Sequence, residues 1–322
     1  MNKTTLSPAR IKQAIGYVLA LAIVVLVAVS VRADLPVREL LPKYTTDISR
    51  FARIDGIDVH YRDEGRGPAL LLVHGSNCSL HSWEGWQTQL KAKFRVISVD
   101  LPGHGLTGPD PEGRYDYAAM VRFLDRLADH LHIDKFSLAG NSMGGAIAIE
   151  YALMRPARME KLILIDSLGY PEQVPPLILR MWGYPVIGQV LTVLTPRFAY
   201  AQTIRGIYGH KERVSDPLID RYYELLLREG NRAATRTRFV DAVWSVDVSR
   251  LRSIGIPTLV MWGGKDPWFD AAFGKRFAQD IPGAAVRIYP DLGHVPMEEA
   301  PEITARDAAS FLMTKRSTEP DY

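Results

Sequence analysis

Short apolar runs alternate with segments whose apolar residues recur every three or four positions, from about residue 50 to the C-terminus. The short runs predict buried strands, and the three-to-four spacing predicts amphipathic helices. The predicted strands are 51–54, 58–62, 69–73, 94–99, 135–139, 162–165, 258–262 and 285–288. The predicted helices are 83–91, 117–131, 143–151, 271–278 and 302–313. This alternation predicts an α/β fold, a mostly parallel sheet with helices on both faces.

The alternation is interrupted once, between residues 168 and 251, where the chain reads as helices and loops rich in Pro and aromatic residues. We expect 168–251 to be a helical cap inserted into a core of 51–167 and 252–316. Such a cap would cover the carboxyl edge of the sheet, where these folds bind ligands. Its 177–194 portion is apolar, but Arg180, a proline and two glycines disfavour a membrane span there.

The N-terminal segment departs from this pattern. Residues 13–31 carry no charge and follow Lys3, Arg10 and Lys12, which predicts a transmembrane anchor with 1–12 in the cytoplasm, 32–50 as a linker, and the catalytic domain outside. The alternative is a secretory signal peptide cleaved near residue 33, although the apolar run is longer than a signal peptide needs.

Composition excludes several classes of protein. A net charge of +3 over 322 residues does not favour nucleic-acid binding. The single cysteine, Cys78, excludes an intramolecular disulfide and a cysteine-rich metal site, and we interpret it as a packed thiol. No cofactor or metal is predicted, and the composition does not indicate an oligomeric state.

The segment from Gly140 to Gly145, sequence GNSMGG, carries the most specific chemical signal. It joins a predicted strand to a predicted helix, which is the setting of the G-x-S-x-G nucleophile elbow. The elbow needs small residues two positions before and after the serine, because the turn is tight. Ser142 is therefore the candidate nucleophile.

A serine hydroxyl needs a base, and the base needs an acid to orient it. His294 follows the last predicted strand, and Asp266 follows the strand before it. Both therefore reach the sheet edge that carries Ser142, in the chain order Ser, Asp, His expected with such an elbow. Asp166 also ends a strand and is the reserve acid, and Asp270 and Glu298 are weaker alternatives.

A tetrahedral intermediate needs N–H donors for its oxyanion. We expect one from the backbone of Met143 and one from Ser76, in the loop after strand 69–73. The Asn77 side chain could add a third. His74 and His104 are interpreted as structural hydrogen-bonding residues.

Over residues 50–315 the chain resembles the α/β-hydrolase superfamily. The motifs that carry the resemblance are His74-Gly75, DLPGHG at 100–105, GNSMGG at 140–145, WGGKD at 262–266 and GHVPMEEAP at 293–301. The resemblance implies Ser142 as nucleophile, His294 as base, Asp266 as acid and 168–251 as a mobile cap. It does not fix the substrate.

We expect hydrolysis of a small-molecule carboxylic ester with an apolar, lipid-like acyl group. The first alternative is a carbon–carbon bond hydrolase of ring-cleavage products; these enzymes share a GNSMGG-like elbow but usually carry Trp where this chain has Val295. Their dicarboxylate-like substrates would need a cationic residue in the cap, with Arg205, Arg232 and Arg236 as candidates. The second alternative is a non-catalytic, membrane-anchored binding module.

Overall fold

A computed structural model describes residues 30–240 and 245–314, together with 10, 12, 13, 15–18, 20 and 21. Eight strands form one sheet. They are β1 (Ser49–Ile54), β2 (Ile57–Glu64), β3 (Ala69–Val73), β4 (Arg95–Val99), β5 (Phe136–Asn141), β6 (Met159–Ile165), β7 (Thr258–Gly263) and β8 (Ala285–Tyr289).

The strand order is β1-β2-β4-β3-β5-β6-β7-β8. β2 pairs antiparallel with both β1 and β4, and all other neighbours are parallel. Strands β3 to β7 are buried along most of their length, as their continuous apolar sequences predict, whereas the edge strand β8 is largely exposed. The predicted α/β fold with a mostly parallel sheet is confirmed.

Helices cover both faces of this sheet. In the described part of the chain they are α1 (Val37–Tyr44), α2 (Glu84–Leu90), α3 (Tyr117–His130), α4 (Met143–Met154), α5 (Leu177–Arg180), α6 (Pro185–Leu191), α7 (Arg197–Gly206), α8 (Asp216–Leu227), α9 (Asn231–Val240), α10 (Ala271–Asp280), α11 (Pro296–Glu299) and α12 (Pro301–Met313). One apolar cluster includes buried residues of α3, α4 and α10, and the other includes residues of α2 and α12. The sheet therefore lies between two packed layers.

Helices α5 to α9 occupy the interval between β6 and β7, where the sequence predicts the cap. They pack on one another through Leu179, Trp182, Leu226 and Phe239, and α7 also contributes Ala201 and Ile204 to the apolar layer that contains α2 and α12. The division of the chain into a core of 51–167 and 252–316 and a cap of 168–251 stays a prediction. Trp244, one of the aromatic residues in the 168–251 interval, lies outside the described residues.

The segment expected to be a linker, residues 32–50, contains helix α1 and the start of β1. Leu40 of α1 is fully buried with Leu106 and Leu225, so burial of an apolar side chain holds the segment against α8. The Asp34 carboxylate lies 2.7 Å from an Nη atom of Arg232, and Lys43 pairs with Glu224 at 2.9 Å. This stretch is therefore folded structure that fastens to α8 and α9.

The membrane anchor predicted at 13–31 falls largely outside the described residues. Among the residues that the structure does describe, no helix combines the length and the apolar composition needed to cross a bilayer. The predicted membrane-anchored localisation, with the catalytic domain outside, is corrected on this finding. The uncharged run, together with Lys3, Arg10 and Lys12 before it, had suggested the anchor.

Candidate active site

Ser142 lies at the turn between β5 and α4, with φ 55° and ψ −117°. This left-handed conformation is strained for a residue with a side chain, and it turns the serine out of the strand before the helix begins. A Cβ on Gly140 would lie 2.1 Å from the Gly144 carbonyl oxygen, and one on Gly144 would lie 2.3 Å from the Val73 carbonyl oxygen. The small residues of the elbow are therefore required by backbone contacts.

His294 and Asp266 come together in the loops after β8 and β7. His294 Nδ1 lies 2.8 Å from Asp266 Oδ2, and because a carboxylate accepts, Nδ1 carries the proton. Nε2 has no hydrogen-bond partner among the described residues, so its lone pair is free to accept a proton. Ser142 and His294 line the same cleft. This is the arrangement that the triad prediction requires, and the catalytic roles stay a prediction.

The Asp266 carboxylate is held by backbone groups of its own loop. Its Oδ1 accepts from the N–H groups of Trp268 at 2.8 Å and Phe269 at 3.2 Å. The Trp268 and Phe269 rings also pack against the His294 imidazole, with centroids 4.6 and 5.5 Å away. Three donors thus stabilise the ionised carboxylate, and two rings shield the imidazole.

The other candidate acids occupy different positions. Asp270 accepts from the Ala272 N–H at the start of α10. Glu298 bonds to Arg221 and Tyr222. Asp166 is the exception: its carboxyl, that of Asp266 and the His294 ring nitrogen lie within 4.8 Å of one another.

The predicted oxyanion donors lie beside the nucleophile. Met143 is the first residue of α4, where backbone N–H groups lack partners within the helix. Ser76 and Asn77 line the same cleft as Ser142. The oxyanion loop approaches the nucleophile closely, since a Cβ placed on Gly75 would lie 3.1 Å from the Ser142 Cβ. The oxyanion roles of Ser76 and Met143 stay predictions.

Two buried histidines support these loops. His74 Nδ1 lies 2.8 Å from the Gly75 carbonyl oxygen, and its Nε2 accepts from the Leu101 N–H at 3.1 Å. His104 Nδ1 lies 3.0 Å from the Pro102 carbonyl oxygen. Burial lowers the pKa of both rings, so both are neutral at physiological pH and hold backbone, as expected from the sequence.

The cleft at Ser142 is narrow and mainly apolar. It encloses about 410 Å³ with its open mouth included. Its apolar walls come from the inserted helices and from the loops after β7 and β8: Leu179, Tyr200, Ile204, Ile207, Trp268 and Val295. Cys78 also lines it, and burial raises the pKa of this thiol to about 12, which leaves it a neutral packing group, as the sequence suggests.

A second and larger cavity, of about 1380 Å³ with its open mouth included, lies beside the start of α4. Met143, Tyr115 and Arg238 line it. Arg238 Nη2 donates to Asn77 Oδ1 at 3.0 Å and reaches Ser76 Oγ at 3.4 Å. Arg238 therefore lies at the boundary between the cavity and the oxyanion loop.

Arg238 is buried without a carboxylate partner among the described residues. Its Nε and Nη1 atoms make no hydrogen bond there, and burial lowers the pKa of its guanidinium to about 10. A buried cation without a counter-ion costs folding free energy. The cations named from the sequence are used elsewhere or lie away from the cavities: Arg205 contacts Asp216, Arg232 contacts Asp34, and Arg236 lines neither cavity.

Sequence reasoning also missed two residues that hold the histidine loop. Glu299 accepts from the N–H groups of Gly293 at 2.8 Å, Gly209 at 3.0 Å and His210 at 2.7 Å. Asn141 donates through Nδ2 to the carbonyl oxygens of His294 at 3.0 Å and Ile165 at 3.1 Å. Their positions inside the GHVPMEEAP and GNSMGG motifs were the available signal.

The elbow, the acid–base pair and the sheet order together correspond to one family. Residues 70–308 match the alpha/beta hydrolase family. The chain belongs to the alpha/beta hydrolase family. It is therefore a hydrolase of that fold, as the resemblance in its motifs indicated.

Relatives of two kinds are similar to this hydrolase. The 2-hydroxy-6-oxo-2,4-heptadienoate hydrolase of Pseudomonas putida is 29% identical over 258 residues, which cover 77% of this chain and 90% of the relative. The structure of a meta-cleavage product hydrolase from Pseudomonas fluorescens superposes with a TM-score of 0.72 at 22% identity. The match covers 82% of this chain and 97% of that hydrolase, and it supports the fold alone. A bacterial membrane phospholipase A has a TM-score of 0.70 at 25% identity and covers 94% of this chain and 98% of its own.

Proposed function

We propose that this hydrolase cleaves a carbon–carbon bond in a 2-hydroxy-6-oxo-dienoate, the type of product that ring cleavage of a catechol yields. Ser142, His294 and Asp266 form the triad, and Ser76 and Met143 supply the oxyanion N–H groups. The helices between β6 and β7 act as the cap. The carbon–carbon reaction replaces ester hydrolysis as the first choice, because the similarity to the Pseudomonas putida dienoate hydrolase supports it more directly.

The unpaired guanidinium of Arg238 is the observation that carries this proposal. The substrate class has a carboxylate at one end, and Arg238 offers two N–H-bearing nitrogens, Nε and Nη1, without partners among the described residues. Charge-assisted hydrogen bonds from arginine to a carboxylate are among the strongest in proteins. The dienoate end would therefore occupy the larger cavity.

The opposite end of the substrate is apolar, and the Ser142 cleft suits it. Its lining comes largely from Leu179, Ile204 and Ile207 of the inserted helices and from Trp268 and Val295. Ser142 lines the cleft, and the next residue, Met143, lines the cavity. The scissile bond would lie at this junction. The Trp268 ring also packs against the His294 imidazole, with the centroids 4.6 Å apart.

The chemistry follows from the geometry. Ser142 Oγ attacks the 6-oxo carbon while His294 Nε2 takes its proton, and the oxyanion meets the N–H groups of Ser76 and Met143. The C5–C6 bond breaks in the 2,6-dioxo tautomer of the substrate, in which the enol proton has moved to C5. Its electron pair then forms the C4–C5 double bond of a dienolate, and the dienolate oxygen takes the proton from His294. Water, activated by His294, hydrolyses the acyl-enzyme and releases a carboxylic acid.

The test is direct because such dienoates are yellow. Purified protein is mixed with 2-hydroxy-6-oxo-2,4-heptadienoate, and the visible absorbance and the acetate released are followed. The expected result is bleaching with one acetate per dienoate, and no reaction in the Ser142→Ala variant. Stable colour with wild-type protein that does turn over p-nitrophenyl butyrate would refute the carbon–carbon proposal.

Ester hydrolysis is the second candidate. The narrow apolar cleft favours it, because an aliphatic acyl chain fits a wall of Leu, Ile and Trp side chains. The similarity to a phospholipase A supports it as well. A chain-length series of p-nitrophenyl esters tests this candidate, and lack of turnover at every length would exclude it.

A further inference from the structure

Asp166 is a buried acid that the proposed mechanism does not use. It follows β6, is fully buried, and has a left-handed backbone with φ 43°. The Gly263 N–H donates to its Oδ1 at 2.9 Å. Its Oδ2 meets no N–H or O–H donor among the described residues.

The Asp166 carboxyl faces the acid of the proposed triad. Carboxyl oxygens of Asp166 and Asp266 and a ring nitrogen of His294 lie within 4.8 Å of one another. Two buried carboxylates this close cannot both be ionised cheaply, so one holds a proton. Asp266 accepts from Trp268, Phe269 and His294, whereas Asp166 accepts from one backbone N–H. The charge therefore belongs to Asp266 and the proton to Asp166.

We infer that Asp166 is a positioning residue of the triad: as a neutral carboxylic acid it donates a hydrogen bond from Oδ2 to Asp266 and holds that carboxylate toward His294. The bond gives Oδ2 the partner it otherwise lacks. Burial, followed by the negative charge of Asp266, raises the pKa of Asp166 well above its usual range, in agreement with the geometry. Asp166 lines neither the Ser142 cleft nor the larger cavity.

This inference rests on the proposed triad but not on the identity of the substrate. It is tested by the rate at which a fluorophosphonate labels Ser142, measured from pH 4 to 9, since labelling needs only an active triad. The variants are Asp166→Asn and Asp166→Ala, with Asp270→Asn as the matched control because Asp270 lies at the exposed start of α10. Asn tolerates the left-handed backbone and keeps a donor toward Asp266.

The labelling rate of Asp166→Asn is expected to be within about twofold of wild type. The acid limb of its pH profile, where the labelling rate falls as the pH is lowered, should not move, because one neutral hydrogen-bond donor replaces another. Asp166→Ala is expected to label about fivefold more slowly, with the acid limb raised by about half a pH unit, since Asp266 loses one donor. Should Ala fail to fold by thermal melting, the Asn profile decides alone.

An acid limb lowered by about one pH unit in Asp166→Asn would show that a negative charge had been removed near His294, which overturns the inference. Equal losses in Asn and Ala would overturn it as well. Failure of wild-type protein to label would instead refute the triad, and the inference falls with it. Labelling without dienoate cleavage would refute the proposed substrate while leaving the inference standing.

Discussion

Replacing Arg238 by glutamine tests the proposed carboxylate site. The change removes the buried positive charge and keeps a polar side chain of smaller size. In the wild-type protein Nε and Nη1 have no partner among the described residues, and we propose that the substrate carboxylate supplies both. The variant therefore loses two charge-assisted hydrogen bonds to substrate and only one well-formed bond to Asn77.

The magnitude follows from those two bonds. A hydrogen bond to a charged group contributes about 1.5–3 kcal/mol, so two contribute at least about 3 kcal/mol. Each 1.4 kcal/mol is a factor of ten, and kcat/KM for a dienoate is expected to fall by about 10²-fold or more. Burial lowers the pKa of Arg238 to about 10, which means that the charge costs folding free energy, so the thermal midpoint of the variant is not expected to fall.

The assay compares two substrates on two variants. Initial rates of dienoate bleaching and of p-nitrophenyl butyrate hydrolysis are measured for Arg238→Gln and for Arg205→Gln, whose side chain lies on the surface beside Asp216. We expect Arg238→Gln to lose dienoate cleavage while butyrate hydrolysis changes by less than about threefold, and Arg205→Gln to change neither. Equal losses on both substrates would refute the carboxylate role and indicate that Arg238 only holds the oxyanion loop.

Three further predictions concern the elbow and its supports. Ser142→Ala should lower kcat by about 10⁴-fold or more, and near-normal activity would show that another serine reacts. Gly144→Ala should destabilise the fold by several kcal/mol in urea unfolding, because its Cβ would meet backbone oxygens at 2.3 and 2.6 Å; Gly255→Ala, with nothing within 4 Å, is the control, and equal stabilities would contradict the packing argument. Burial opposes the charge on Asp100, but the hydrogen bond with His60 lowers the pKa of this carboxyl from 3.8 to about 2. The ionised carboxylate therefore stabilises the fold above pH ~4, and this contribution is lost as the pH falls toward about 2. An Asp100→Asn variant whose folding stability fell just as steeply in acid would contradict this.

Much of the fold could be predicted because its strands are short, apolar and buried on both faces. The run at 69–73 forms β3 with the predicted bounds, and the hairpin turns at Asp55 and Gly56, with φ 47° and 81°, as an Asp-Gly pair favours. Strand ends shifted by one to three residues, as in β6, which begins at Met159. Hydrogen bonding to neighbouring strands, and not local composition, sets those ends.

Residues 37–44 and the predicted membrane span at 13–31 were harder to interpret from the sequence. Residues 37–44 have two prolines nearby and mixed charge, which suggested a linker, yet Leu40 is fully buried against Leu106 and Leu225. Those partners lie far away in sequence, so no local pattern could reveal the helix α1. The predicted membrane span rested on the uncharged run at 13–31 and on the basic residues before it, which are local signals as well.

The candidate site divides in the same way. Asp266 and His294 were predictable because each follows a strand of one parallel sheet, and such loops meet at one edge. Arg238 was not predictable, because its proposed role depends on the cavity that it lines and on the lack of a partner for its Nε and Nη1 atoms among the described residues. The buried face of α9 contains Asn231, Ala234, Thr235 and Arg238, a helical spacing of small and polar residues that shows its meaning only when the facing cavity is known.

The central claim is that this hydrolase breaks a carbon–carbon bond at Ser142. The most direct measurement is rapid mixing of purified protein with 2-hydroxy-6-oxo-2,4-heptadienoate, with the visible absorbance and the acetate released both recorded. The account predicts bleaching with stoichiometric acetate in the wild-type protein and a stable yellow colour in Ser142→Ala. A stable colour with wild-type protein, alongside turnover of p-nitrophenyl esters by the same sample, would contradict it.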